Sequence, residues 1–97
     1  MNYNVKVLDY FKNQVSELDL KSKKIIYNKI QLIKENPFRY KRIHSKKYSK
    51  VFRVRLSVNQ RETRLIYAII EPNIILVCLL DRKKDYKDLE KYLKKIN

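Results

Sequence analysis

Residues Val51–Tyr67, VFRVRLSVNQRETRLIY, hold the pattern that decides the fold. Phe52, Val54, Leu56 and Val58 alternate with Arg53, Arg55 and Ser57, the period of two expected of a half-buried β-strand. Asn59-Gln60 reads as a turn, because asparagine tolerates a left-handed backbone. A second strand-like run follows, Arg64-Leu65-Ile66-Tyr67-Ala68-Ile69-Ile70. Neighbouring arginines on one strand face repel each other, and a surface with only structural duty would more often mix Thr, Lys and Glu. A hairpin here gathers Arg53, Arg55 and Arg64. The expectation is a phosphate-binding surface, with a plain solvated strand face as the alternative.

Working outward, Glu71-Pro72-Asn73 reads as a turn and Ile74–Leu80 as a strand apolar on both faces, which belongs inside a sheet. Cys78 lies within it as a small buried hydrophobe, and a lone cysteine supports neither a disulfide nor a zinc site. Upstream, Tyr3–Leu8 alternates as a first strand, and Val7, Phe11, Val15 and Leu18 follow at helical spacing. Asp19 is placed to cap a second helix, with Ile26, Ile30 and Ile33 on one face and Ile25, Tyr27 and Leu32 flanking it. Asn36-Pro37 ends that helix, since a residue before proline is pushed out of helical geometry. Two short helices then form a hairpin whose apolar stripe needs a sheet to cover. Phe38–Tyr48 is a basic connection in which Tyr40–His44 forms a short edge strand, where cations also discourage aggregation. After residues 81–85, Asp85 caps a last helix with Tyr86, Leu89, Leu93 and Ile96 on one side. The expected fold is α+β. Residues 1–97 form one small domain, with an N-terminal strand and helical hairpin on a mostly antiparallel sheet of about four strands, plus a C-terminal helix.

The 97 residues carry a net charge of +14, from 24 Lys and Arg against 10 Asp and Glu. A biased composition rich in Lys would raise acids as readily. Instead, the span from Arg39 to Arg64 holds ten cations and one acid, Glu62. Such concentration points to a polyanionic partner. The longest apolar run, Ile74–Leu80, is too short to cross a membrane, and MNYNVKV lacks a signal-peptide layout. A cytoplasmic protein without a membrane partner is expected.

In order and spacing these pieces resemble the RelE/ParE toxin superfamily. The resemblance is carried by the hairpin closing on Asn36-Pro37, by Phe52-Arg53-Val54-Arg55-Leu56, by Arg64-Leu65-Ile66-Tyr67 and by Asp81-Arg82-Lys83-Lys84-Asp85-Tyr86. Two features depart from the family pattern. Its turn glycine is replaced by residues 57–62, so the hairpin is longer, and its histidine before the last arginine is Asp81. The resemblance implies the RelE-like toxin of a type II toxin–antitoxin system, a ribosome-dependent mRNA endonuclease (mRNA interferase) that inhibits translation by cutting in the A site. There the substrate's 2′-hydroxyl attacks the adjacent phosphate, and no metal or other cofactor takes part. It further implies a cognate acidic antitoxin like RelB, with mRNA and rRNA as the other partners. The other branch of the superfamily, ParE-like inhibition of DNA gyrase without catalysis, and an inactive RNA-binding relative are the alternatives.

Such cleavage needs a base for the 2′ proton, cations for the charge that builds on phosphorus and an acid for the leaving 5′ oxygen. Arginine suits the second task, since its planar fork grips two oxygens and keeps its charge. By position, Arg64 and Arg82 are implied at the phosphate and Tyr86 in stacking or proton transfer. Arg55 and Lys83 complete the candidate catalytic set. Arg53, Lys41, Arg42, His44, Lys46, Lys47, Lys50 and Arg61 are the candidate RNA contacts. Arginine is a poor base, so the proton acceptor is left open among His44, Lys41, Lys83 and a tyrosine.

Overall fold

The computed structural model describes residues 3–81 and 88–96. Strand β1 (Asn4–Val7) leads into helices α1 (Asp9–Ser16) and α2 (Leu20–Glu35). Strands β2 (Lys41–Ile43), β3 (Val51–Val58), β4 (Arg61–Ile70) and β5 (Asn73–Asp81) follow, and helix α3 (Leu89–Leu93) comes last. The strands form one sheet in the order β1-β5-β4-β3-β2. Only β1 pairs in parallel, with β5. The sheet therefore has five strands rather than about four, because both short segments, β1 and β2, join it as edges.

One face carries Phe52, Val54, Val58, Leu65, Tyr67, Ile69, Ile74 and Leu76, all buried against Phe11 and Val15 of α1 and Ile26 and Ile33 of α2. Each such side chain stabilises the fold by roughly 1.5–3 kcal/mol. The other face packs Val51, Ile66, Ala68, Ile75, Val77, Cys78 and Leu80 under Leu89 and Leu93 of α3. β4 and β5 are covered on both faces, which is why their sequences read as continuous apolar runs. A bulge opposite Ile66/Tyr67 leaves Val77 as an extra residue and turns both Val77 and Cys78 toward α3. Tyr67 is fully buried, its hydroxyl donating to the carbonyl of Pro37, and burial holds that hydroxyl firmly in its neutral form.

Helix boundaries follow local chemistry. The Asp19 carboxylate accepts the Ser22 amide hydrogen at 2.8 Å and caps α2; Glu35 is the last residue before Asn36-Pro37. Val7, shared by the expected first strand Tyr3–Leu8 and the helical spacing, ends β1 and is exposed, so α1 begins at Asp9. Because β1 pairs with β5 only as far as Leu76, Leu79 has no strand beside it there. The Gln14 side chain of α1 fills the gap: its amide donates to the Leu79 carbonyl (2.8 Å) and its oxygen accepts the Leu79 N–H (2.7 Å). The final helix is one short turn, Leu89–Leu93, continued as a 3-10 turn over Lys94–Ile96, with Asp88 at the cap position. The expected cap Asp85 and the neighbouring Tyr86 lie outside the described residues.

The β3–β4 turn is tight. Val58 pairs with Arg61, leaving only Asn59 and Gln60 in the loop, both at positive φ (52° and 63°). That is the two-residue geometry whose twist matches a hairpin. The residues that replace the family's glycine thus lengthen the strands, not the loop, and β4 starts at Arg61 rather than Arg64. Asn59 is secured by Ser22, whose hydroxyl donates to its side-chain oxygen at 3.0 Å. Gln60 has no such help and pays the left-handed penalty of roughly 1–2 kcal/mol for a residue with a Cβ. Gln60→Gly is therefore expected to raise the unfolding free energy by about 1 kcal/mol in a denaturant titration. An unchanged or lowered midpoint would show that Gln60 is not strained.

Candidate functional site

The alternation of β3 sends Arg53, Arg55 and Ser57 to the face that α3 covers, and the register brings β4 and β2 residues beside them. Arg55 stands directly opposite Arg64, Ser57 opposite Glu62, and Lys41 opposite Arg53. The three arginines expected to meet do meet, and Lys41 joins them. Leu80 lies beyond Arg64 on β5, and Ile66 and Cys78 lie beyond Arg53. The face is thus divided: its apolar part is buried under α3, and its part toward β2 and the β3–β4 turn is basic. Burial pushes the Cys78 thiol up to about 12, so it remains a neutral packing group.

An open cavity of about 230 Å³ is lined by Arg55, Leu56, Ser57, Glu62, Thr63 and Arg64. Arg55 is exposed, whereas Arg53 and Arg64 are half-buried. Arg53, Arg64, Glu62 and Asp81 are each held by at least one polar, ring or electrostatic interaction. Two like charges directly across an antiparallel pair oppose folding. A chain that keeps such a pair violates a local rule, as happens at functional sites. Chemically, two guanidinium forks and their neighbours offer a cradle for a phosphodiester whose charge rises during reaction. Among the described residues, Glu62 is the carboxylate that lines this cavity, where it moderates the charge.

The other candidates divide. Lys46 and Lys47 lie on the loop after β2, which packs Tyr48 under α3 and donates the Lys46 backbone N–H to Glu90 at 2.9 Å. His44 is exposed at the end of β2 and lines a separate small cavity with Arg42, Ile43, Ser45, Tyr48 and Ser49, so it does not join Arg55 and Arg64. Arg42, Lys50 and Arg61 lie on the opposite side from Arg55 and Arg64: strand alternation turns Arg42 and Arg61 there, and Lys50, just before β3, sits beside Phe38. Arg42 lies over Phe52, and Arg61, opposite Val58, lines a cavity with Gln14, Glu17 and Leu18. Lys50 meets Glu71 at 3.7 Å. Arg82, Lys83 and Tyr86 lie outside the described residues. Sequence reasoning missed Ser57 and Glu62 as cavity residues. Carrying the period of two back from Arg64 to Glu62 would have found the latter.

No family model and no curated protein matches the chain. Solved structures do. The free Escherichia coli toxin RelE, in a double arginine-to-alanine mutant, superposes with a TM-score of 0.71 at 14% identity, covering 100% of both chains. The intact E. coli RelBE toxin–antitoxin complex gives 0.64 at 13% identity over 84% of this chain and 99% of the other. An archaeal RelE–RelB complex from Pyrococcus horikoshii OT3 gives 0.62 at 16% identity, over 88% and 100%. The chain has the RelE fold.

If the Arg55–Arg64 pair is kept against folding, Arg55→Thr should stabilise the protein by roughly 0.2–1 kcal/mol in low salt, a gain that shrinks as salt screens the pair. Denaturant midpoints measured at low and high salt check this. A loss of stability on substitution, unaltered by salt, would mean that Arg55 is a structural residue.

Proposed function

We propose that this chain is the toxin of a toxin–antitoxin pair and acts as an endoribonuclease on mRNA in the ribosomal A site. The observation that carries the proposal is the cross-strand pair Arg55/Arg64 with Arg53 and Lys41 alongside, on a fold shared with RelE. The scissile phosphate enters the cavity between Arg55 and Arg64. The 2′ oxygen of the upstream nucleotide attacks phosphorus as its proton is removed, the bond to the 5′ oxygen breaks, and that oxygen is protonated. The products are a 2′,3′-cyclic phosphate and a 5′-hydroxyl, formed without a metal. Both arginines stabilise the extra negative charge of the pentacoordinate state more than that of the ground state, which is what accelerates the step. Of the groups considered as base, Lys41 is favoured by position, standing opposite Arg53 on the same face, whereas His44 lines a different cavity. Arg82, Lys83 and Tyr86 would complete the site from the segment after β5.

A surface this basic also calls for a neutralising partner. An acidic antitoxin fits the net charge of +14, and the E. coli and archaeal relatives are found in complexes of that kind. Mapping 5′ ends of mRNA on programmed ribosomes with the purified chain tests the proposal. Cuts within the A-site codon are expected, slowed roughly 10²–10³-fold by Arg64→Ala, as for loss of one charge-stabilising donor. A slower rate in Lys41→Ala is expected as well. No cuts by the unaltered chain, with supercoiling by DNA gyrase inhibited instead, would overturn it.

A further inference from the structure

A second basic surface lies across the sheet from the arginines, on the side of the helical hairpin. Arg42 of β2 places its guanidinium 5.8 Å from the ring centre of Phe52, and Arg39 places its own 5.9 Å from that of Tyr40. The Lys50 ammonium is 5.7 Å from the ring of Phe38. Phe38 is 46% exposed, yet it does not float: its ring meets Phe52 edge-on at 5.9 Å and Tyr3 at 6.4 Å. Phe52 in turn stacks on buried Tyr67 at 5.3 Å. The exposed ring therefore rests on a rigid aromatic column anchored in the core.

Protection of an edge strand explains cations on β2, but not a half-exposed phenylalanine set among cations that each lie within 6 Å of an aromatic ring centre. We propose that Phe38, Arg39, Tyr40 and Arg42 form a second contact for single-stranded RNA, reached from the arginine face over the β2 edge. This rests on RNA being the substrate of that face. The path is short. β2 is the outer strand, and its cations alternate, Lys41 toward Arg53 and Arg42 toward Phe52. With strands about 4.8 Å apart, Arg64 on β4 is about 10 Å from the β2 edge. A strand held at Arg64 passes Arg53 and Lys41, turns over the edge and meets the aromatic patch. Rings and guanidinium planes stack on any base, and guanidinium edges take phosphates, so the contact is independent of sequence. A polyanion without rings, such as polyglutamate, would satisfy the same charges but leave the exposed ring unused.

The test is fluorescence anisotropy with a labelled 2′-O-methyl oligouridylate, which binds but offers no 2′-hydroxyl for attack, so affinity is read apart from cleavage. Phe38→Ala is expected to weaken binding at least about fivefold with an unchanged salt slope, because stacking releases no counterions. Arg42→Ala, at an exposed position less tied to folding, should weaken binding and reduce the slope of log K against log salt by about 0.7. Circular dichroism of each variant confirms the fold. Wild-type affinity in both folded variants would overturn the proposal, as would a loss of labelled polyglutamate binding with oligouridylate unaffected. If the oligouridylate binds through the patch but no mRNA is cut, the nuclease function fails while this contact stands.

Discussion

The register of the β3–β4 hairpin is the constraint on which the rest depends. With a side-chain period of two, a slip of one residue would drive Arg53 and Arg55 into the helix-covered core and expel Phe52, Val54 and Val58. Two devices hold the register. The two-residue turn at Asn59-Gln60 fixes which residues face each other, and Ser22, at the capped start of α2, holds Asn59 through its hydroxyl. A chain of polar contacts, Asp19 to Ser22 to Asn59, thus ties the helix start to the turn that places Arg55 opposite Arg64.

The hydrophobic effect then does the sorting. Helices α1 and α2 bury the apolar centre of one face of the sheet. The single turn of α3 takes only part of the other, with two buried leucines, Leu89 and Leu93. Among the described residues, the part of that face beyond α3 is the basic surface. Its placement is also secured at the far end. The rings of Tyr10 and Tyr92 stack at 4.6 Å, the Tyr10 hydroxyl donates to that of Tyr92, and Lys95 lies 4.8 Å from the Tyr10 ring. The hydrogen bond with Tyr10, with partial burial, raises the Tyr92 hydroxyl to about 12, so this clamp is unaffected by pH across the neutral range.

Much of this was legible in the sequence, for identifiable reasons. The alternation of residues 51–58, the doubly apolar run of residues 74–80 and the Asp19 and Asn36-Pro37 signals each report a local constraint that the tertiary structure keeps. The start of β4 was not legible, because Arg61-Glu62-Thr63 carries no apolar side chain of its own; the turn, not burial, makes it a strand. Val7 was read in both the first strand and the helix, because an apolar residue at a strand–helix junction satisfies either period; it belongs to the strand. Charge concentrated in sequence also proved not to be charge concentrated in space. Arg42 and Arg61 belong to the same basic stretch as Arg53 and Arg55, yet strand parity sends them to the other side. Only the register reveals which cations share a face.

The central claim is that the arginine face holds a phosphodiester while the RNA's own 2′-hydroxyl attacks it. It is tested most directly by replacing one ribose with deoxyribose immediately upstream of a mapped cut in an mRNA on the ribosome. Cleavage at that bond should disappear, while the modified message still competes for the protein as well as the unmodified one. Cleavage persisting at the deoxyribose position would contradict the account, since the nucleophile would then be supplied by something other than the substrate.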